Sequence, residues 1–282
     1  ASWWIPFGII AGVGLQNKLS VAFMGVALVG GLLLTRHRRH FLKPQLYIGG
    51  AVAAIIFLPY GIWQFTHDFA TLEFMRNASA EKNLPMNPVE FMGEQVIMLH
   101  PLTLPIWMSG LVLVFVWKPL RPCAIFGVMW LLLYLLFSLN QGKAYYLASA
   151  VPPLFAAGAV GLERISRNRK VAWPALAYGA LLLVGGLALL PMGRPVLPPE
   201  EFLAYQQALG IAPRPSERSM VGMEMPQHLG DRFGWQDIAS EVARVYDALP
   251  EADQEDALIV GNNYATAGSI NVFGDEYALP RA

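Results

Sequence analysis

The sequence predicts a mostly α-helical, multi-pass transmembrane bundle followed by a small extracytoplasmic α/β domain. Three observations lead there. Of the 282 residues, 55% are hydrophobic and only 14% are charged, where a soluble domain carries about 25% charged residues. Long apolar runs recur through the first two thirds of the chain. The charges are also segregated: residues 1–195 hold 15 Lys and Arg against 6 Asp and Glu, whereas residues 196–282 hold 5 against 14. A basic membrane region (1–193) and an acidic soluble domain (194–282) are implied by that split. The composition excludes a conventional water-soluble enzyme, a disordered chain and a nucleic-acid binder with a basic surface. The single Cys123 excludes a disulfide scaffold and a cysteine-based metal cluster.

A bilayer crossing needs about 20 mostly apolar residues. Runs at 3–16, 19–35, 46–65, 102–117, 122–139, 144–162 and 171–193 give about seven spans, the first shorter than a crossing requires. The chain opens Ala1-Ser2-Trp3-Trp4, with no initiator Met and no basic segment before the apolar run. That is not a signal peptide. It reads as a piece beginning part-way through a larger protein, and Leu279-Pro280 close to Ala282 reads as a second truncation. Bases collect in alternate loops: Arg36, Arg38, Arg39 and Lys43, then Lys118 and Arg121, then Arg164, Arg167, Arg169 and Lys170. Those loops are expected on the cytoplasmic side of the cell (inner) membrane, which places the acidic tail outside. Trp3, Trp4, Trp63, Trp117 and Trp173 lie near span ends, as interfacial anchors do. Cys123, beside Pro122, reads as a small packing residue. Asn77-Ala78-Ser79 is a glycosylation sequon, too short a pattern to carry weight. No Asp, Glu, Lys or Arg falls mid-span, where ion-coupled transporters keep them.

Chemistry is therefore sought at the extracytoplasmic ends of the helices. The turn Gly14-Leu15-Gln16-Asn17-Lys18-Leu19-Ser20 carries Lys18, either a snorkelling anchor or a phosphate-facing cation. The segment 66–101 is longer than usual connections, which suggests a lid or an acceptor-binding element. Within it, 89–99 reads as an amphipathic helix whose Val89, Met92, Val96 and Leu99 stripe can lie flat on the membrane. The run Ser138-Leu139-Asn140-Gln141-Gly142-Lys143-Ala144-Tyr145-Tyr146 sets an ammonium and two phenols at the mouth of a helix. That combination can hold an anionic head group, or form an aromatic belt with one snorkelling Lys. In the tail, Gly234-Trp235-Gln236-Asp237 leads into a helix with Ile238, Val242, Val245 and Leu249 on one face, and Ala257-Leu258-Ile259-Val260-Gly261 reads as a buried strand. Asn262, Asn263 and Tyr264 then precede a second helix, as a sugar or anion site or simply as its cap.

Several of these runs resemble one family. Phe137-Ser138-Leu139-Asn140-Gln141-Gly142-Lys143-Ala144-Tyr145-Tyr146-Leu147, ending in Pro152-Pro153, resembles a segment of the bacterial protein-mannosyltransferase-like glycosyltransferases, the family 39 and aminoarabinose-transferase relatives. Gly12-Val13-Gly14-Leu15 with Asn17-Lys18 is similar to their Gly-x-Gly-Leu…(Ser/Thr)-Lys turn. Phe91-Met92-Gly93-Glu94-Gln95, leading to His100-Pro101-Leu102, is similar to their Phe-x-Gly-Gly-Gln…Ser-Pro-Leu segment, with Glu94 replacing the second Gly. Asp231-Arg232-Phe233-Gly234-Trp235 and Gly261-Asn262-Asn263-Tyr264-Ala265-Thr266-Ala267-Gly268 resemble a C-terminal region common in that group.

The resemblance implies a GT-C membrane glycosyltransferase that moves a sugar from a polyprenyl-phosphate donor to a lipid, glycan or protein acceptor on the extracytoplasmic side. A polyprenyl phosphate has an apolar tail and an anionic head, for which Lys18, Lys143, Tyr145 and Tyr146 are the candidate lipid-phosphate ligands, with Gln95, Asn262, Asn263 and Tyr264 as candidate acceptor or sugar contacts. The family's catalytic acidic residue sits in a first outer loop expected upstream of residue 1, so no catalytic residue is assigned here. A divalent metal is compatible with the family, although no ligand set is visible in these residues. Two other readings stand beside it: a multi-pass transporter or lipid flippase with an extracytoplasmic domain, and a non-catalytic membrane scaffold whose tail binds a partner.

Overall fold

The computed structural model describes residues 3–167, 169–215 and 217–282, without the side chains of residues 79 and 169–171. Ala1, Ser2, the hydroxyl of the Ser79 sequon and the side chains of Arg169 and Lys170 thus lie outside the described residues. The chain divides into two compact units. The first comprises Ala1–Val196 with Ser216–Ser219, and the second Leu197–Pro215 with Met220–Ala282.

The first unit holds ten helices among its described residues: α1 (Trp4–Asn17), α2 (Val21–Leu34), α3 (Pro44–Thr66), α4 (Ala70–Asn77), α5 (Pro88–Met98), α6 (Leu104–Val116), α7 (Ala124–Leu139), α8 (Pro152–Ser166), α9 (Arg169–Ala188) and the single turn α10 (Leu190–Gly193). Pro44–Thr66 and Lys118–Leu139 are long and apolar enough to cross a membrane. Three bent pairs raise the number of candidate spans to five. The other two apolar runs give α1, of 14 residues, and α9, whose described apolar stretch is Ala172–Ala188.

Each bend has a local cause. After α2 the chain turns by 106° into a 3-10 segment, Arg36–Leu42. Thr35 there is extended, and its hydroxyl accepts from the His37 amide. Between α5 and α6 the turn is 97°, at a left-handed His100 (φ 70) followed by Pro101. Proline disfavours the helical conformation in the residue before it. A 57° bend separates the 3-10 segment Ala144–Ala150 from α8, which begins Pro152-Pro153 and so lacks two N–H donors.

Helices meet where glycine allows backbone contact. A Cβ on Gly110 of α6 would lie 1.9 Å from the Leu154 carbonyl oxygen of α8, and one on Gly158 would lie 1.9 Å from that of Ile106. Gly8 of α1 faces the carbonyl of Gly49 of α3 in the same way, at 2.1 Å. Small residues at such crossings let backbones pack closely, the main source of cohesion in lipid. Helices α6, α7 and α8, with the segment Ala144–Ala150, share a core of Trp107, Leu111, Met129, Trp130, Leu133, Leu147 and Leu154. The Trp107 and Trp130 rings are 5.6 Å apart, and Tyr134 stacks on Trp130 at 5.5 Å. The base-rich loops share one end: His37 Nε2 is 2.7 Å from the Pro122 carbonyl, and Arg164 lies over the Trp117 ring.

Helix α5 is the amphipathic segment of the long loop, started by a capping box in which Asn87 and Glu90 exchange side-chain and backbone bonds. Its apolar stripe does not lie free. Phe91 and Gln95 are buried, and Met92, Val96 and Leu99 pack on the core, leaving Val89 exposed.

The second unit overturns the α/β expectation. Its described residues form no strand, only α11 (Pro199–Ala208), α12 (Gln227–Gly230), α13 (Trp235–Asp247), α14 (Glu251–Asp256) and α15 (Tyr264–Phe273), with short 3-10 turns. Residues 257–261 are extended, but no neighbouring strand among the described residues offers a ladder of hydrogen bonds to them. Leu258 and Val260 are exposed, and only Ile259 joins the small core of Ala243, Ile270 and Leu279. A period-two pattern needs a pairing partner to become a strand. Helix α13 buries Ala239 and Ala243, so its inner face is rotated from the one expected, and Val245 is exposed.

Candidate functional site

The candidate site is built on Ala144–Ala150. Helix α7 ends at Leu139 and is capped through Asn140. Gln141 then takes a left-handed conformation (φ 54), and the Gly142 amide returns to the Phe137 carbonyl at 2.8 Å. Gly142 has no alternative there, because a Cβ would lie 2.8 Å from the Phe137 ring. The chain leaves extended at Lys143 and coils into the 3-10 segment. With three residues per turn, positions three apart share a face. Ala144, Leu147 and Ala150 accordingly face the core, and Tyr145 points outward. The buried Gln95 of α5 clamps this arrangement, donating to the Ala144 carbonyl at 2.5 Å.

Two lysines converge on the phenols. The Lys18 ammonium, from the α1–α2 turn, lies 5.4 Å from the centre of the Tyr145 ring and 5.2 Å from that of Tyr146. The Lys143 ammonium lies 6.0 Å from the centre of the Tyr145 ring. The two rings meet edge to face at 4.7 Å, and Tyr146 also packs against Phe137. The four residues assigned from the sequence to a lipid phosphate thus form one cluster, although 125 positions separate Lys18 from Lys143. Cations over aromatic faces are attracted by the ring quadrupole.

Two further residues belong to the cluster and carried no signal in the sequence. The Glu217 carboxylate, within the first unit, accepts a hydrogen bond from Lys143 and lies 3.4 Å from the Lys82 ammonium. Its side chain is 6% exposed. An antiparallel bridge pairs Glu217 with Asn83, whose side chain donates to the Gln141 carbonyl at 3.0 Å. Burial alone would raise the Glu217 carboxyl, but hydrogen bonding and charge from Lys143, then Lys82, outweigh it and hold the group below the usual carboxylate range. The pairing therefore favours the folded state above that range, and the contribution is lost as pH falls through the lowered value. Lys82 stands in the mixed-charge segment 66–101, and Glu217 is one of 14 acids in residues 196–282. Neither position has a spacing that sets it apart.

Of the other candidates, Gln95 touches the site segment, and Asn262, Asn263 and Tyr264 belong to the second unit. Gln95 is committed to the Ala144 carbonyl. In the second unit, Asn263 caps α15, accepting from the Ala265 and Thr266 amides at 2.9 and 3.0 Å. Asn262 accepts from the side chains of Asn263 and Thr266, and Tyr264 is exposed. Among the described residues, no group of three His, Cys, Asp or Glu side chains is placed to hold a metal ion.

The family model of dolichyl-phosphate-mannose-protein mannosyltransferases matches residues 1–63. That stretch holds Gly12-Val13-Gly14-Leu15 and Asn17-Lys18, so the resemblance to GT-C membrane glycosyltransferases is supported over less than a quarter of the chain. The match and the apolar helices together fit a membrane protein of glycosyltransferase type. No curated protein and no solved structure matches the chain.

Proposed function

We propose that the chain is part of an inner-membrane glycosyltransferase that takes a sugar from a polyprenyl phosphate and passes it to a lipid, glycan or protein acceptor at the extracytoplasmic face. The observation that carries this reading is the convergence of Lys18 and Lys143 on Tyr145 and Tyr146 among apolar helices. A polyprenyl phosphate has an apolar tail and an anionic head, which asks for such surroundings. Residues 1–193 form the membrane region in this reading. The base-rich loops at Arg38, Lys118 and Arg167 face the cytoplasm, and residues 194–282 lie outside.

In transfer, the bond between the anomeric carbon and the phosphate oxygen breaks, and its electron pair stays on the phosphate. The acceptor's nucleophilic atom bonds to the anomeric carbon and gives up its proton. Lys143 and Lys18 offset the negative charge that builds on the departing phosphate, and a phenol hydroxyl orients it by donating a hydrogen bond. The acceptor's proton passes to a general base, a role for which no residue of this chain is assigned.

Replacing Lys143 with Ala in the intact enzyme should lower transfer by about one to three orders of magnitude, because loss of such a contact costs a few kcal/mol of transition-state stabilisation. Arg should retain part of the activity, since the charge survives while the geometry changes. Normal turnover of a normally expressed Lys143→Ala enzyme would make the cluster an interfacial anchor instead.

A further inference from the structure

Lys143 is not an open cation in this structure. It is paired with the Glu217 carboxylate, which also lies 3.4 Å from Lys82 and is 6% exposed. The local backbone builds this pairing rather than leaving it to a flexible surface side chain. Glu217 is bridged to Asn83, the residue after Lys82. Asn83 in turn holds the Gln141 carbonyl, two residues before Lys143, and the Arg218 guanidinium reaches the Asn83 carbonyl. Two ammoniums from distant parts of the chain are thereby gathered around one carboxylate.

We infer that Glu217 occupies the seat of the carrier phosphate as an internal anion, that Lys82 is a further residue of that seat, and that the phosphate binds by exchange with the Glu217 carboxylate. The inference rests on the proposed function, because that reading makes the arriving anion a lipid phosphate. Its physical basis is the cost of a buried unpaired charge. The largely buried Lys143 would be unfavourable with no anion beside it, and the neighbouring Lys82 would add repulsion. The carboxylate therefore keeps the site assembled until another anion takes its place. A phosphate presents more acceptor oxygens than a carboxylate and can engage both ammoniums and a phenol together. A ligand that must displace a resident group binds with an affinity reduced by the fraction of molecules in which the seat is free.

The test uses the full chain in lipid nanodiscs, with farnesyl phosphate as the probe and farnesol and inorganic phosphate as comparisons. A zero-length carbodiimide should join Glu217 to Lys143 or Lys82 in the unsubstituted protein, read by peptide mass spectrometry. Farnesyl phosphate should suppress that cross-link several-fold, while farnesol and the same concentration of inorganic phosphate leave it in place. Equal suppression by inorganic phosphate would overturn the assignment to a lipid carrier, and no suppression by any probe would overturn the exchange. Glu217→Gln should tighten farnesyl phosphate binding about tenfold, the factor for a pair closed in about nine molecules of ten. Lys82→Ala should weaken it. Unchanged binding in either variant, with Lys143→Ala still weakening it, defeats this inference alone. Unchanged binding in Lys143→Ala defeats the proposed function beneath it. The cross-link needs no substitution, so it decides the question even where a variant fails to fold.

Discussion

Helices α6 and α8 approach at Gly110 and Gly158 until a carbonyl oxygen stands where a Cβ would be. Helices α13 and α15 of the second unit meet instead through side chains, with Ala243, Ile270 and Leu279 at the centre. The difference arises from the solvent each unit suits. An apolar helix in lipid gains nothing by burying a leucine against another leucine, so contact must come from close backbone packing. A helix with a polar outer face gains from each apolar group it removes from water. The same α-helical architecture is thus held together by shape in one unit and by burial in the other.

The strongest way to break the comparison is to fill the backbone contact. Gly110→Leu should cost more than about 3 kcal/mol, because the added atoms meet a carbonyl of α8 that cannot move aside. Thermal unfolding in detergent should show it as a lost or broadened transition. Gly25→Ala, where nothing lies within 4 Å of the added atom, should stay within about 1 kcal/mol of the parent. Equal melting of the two variants would mean that close packing is not what holds α6 to α8. The second unit should answer to side-chain volume instead. Ile270→Ala should cost about 2–3 kcal/mol, the low end for such a truncation because the core is small. Hydrogen exchange should report lost protection in α13 and α15 with the amides of α6 and α8 unchanged. The smallest effect is expected at the α15 cap, where Asn263→Ala removes an acceptor shared by two amides and should cost about 1 kcal/mol. Faster exchange confined to the first turn of α15 would separate this capping role from sugar binding.

Much of the helical layout was legible because apolar runs are long and local. The runs at 46–65 and 122–139 correspond to α3 and α7, and the capping residues of α5 are visible as Asn87-Pro88 followed by Glu90. The strand expected at 257–261 failed for a non-local reason, since its apolar residues needed a partner that the described residues of the unit do not provide. The site was half legible for the same reason. Lys143, Tyr145 and Tyr146 are neighbours in sequence, and Lys18 stands out on a base-poor face. Glu217 lies 74 residues from Lys143 in an acid-rich tail, where nothing local distinguishes one carboxylate from the others. Gln95 reads in the sequence as a sugar or acceptor contact, and its reach to the Ala144 carbonyl is likewise a fact of tertiary structure.

The three-residue turn of Ala144–Ala150 makes chain length as consequential there as residue identity. In an α-helix, one inserted residue rotates the downstream chain by about 100°; here the step is about 120°. A single residue added after Lys143 would bring Tyr146 to the place of Leu147, facing the core. It would also move Tyr145 to the place of Tyr146 and Ala144 to that of Tyr145. The ammonium of Lys143 would remain in place with a methyl group where its ring had been. Natural or engineered versions of this protein can therefore vary many of the apolar residues around the segment, but insertions and deletions between Gly142 and Pro152 should be tolerated only in multiples that restore the turn.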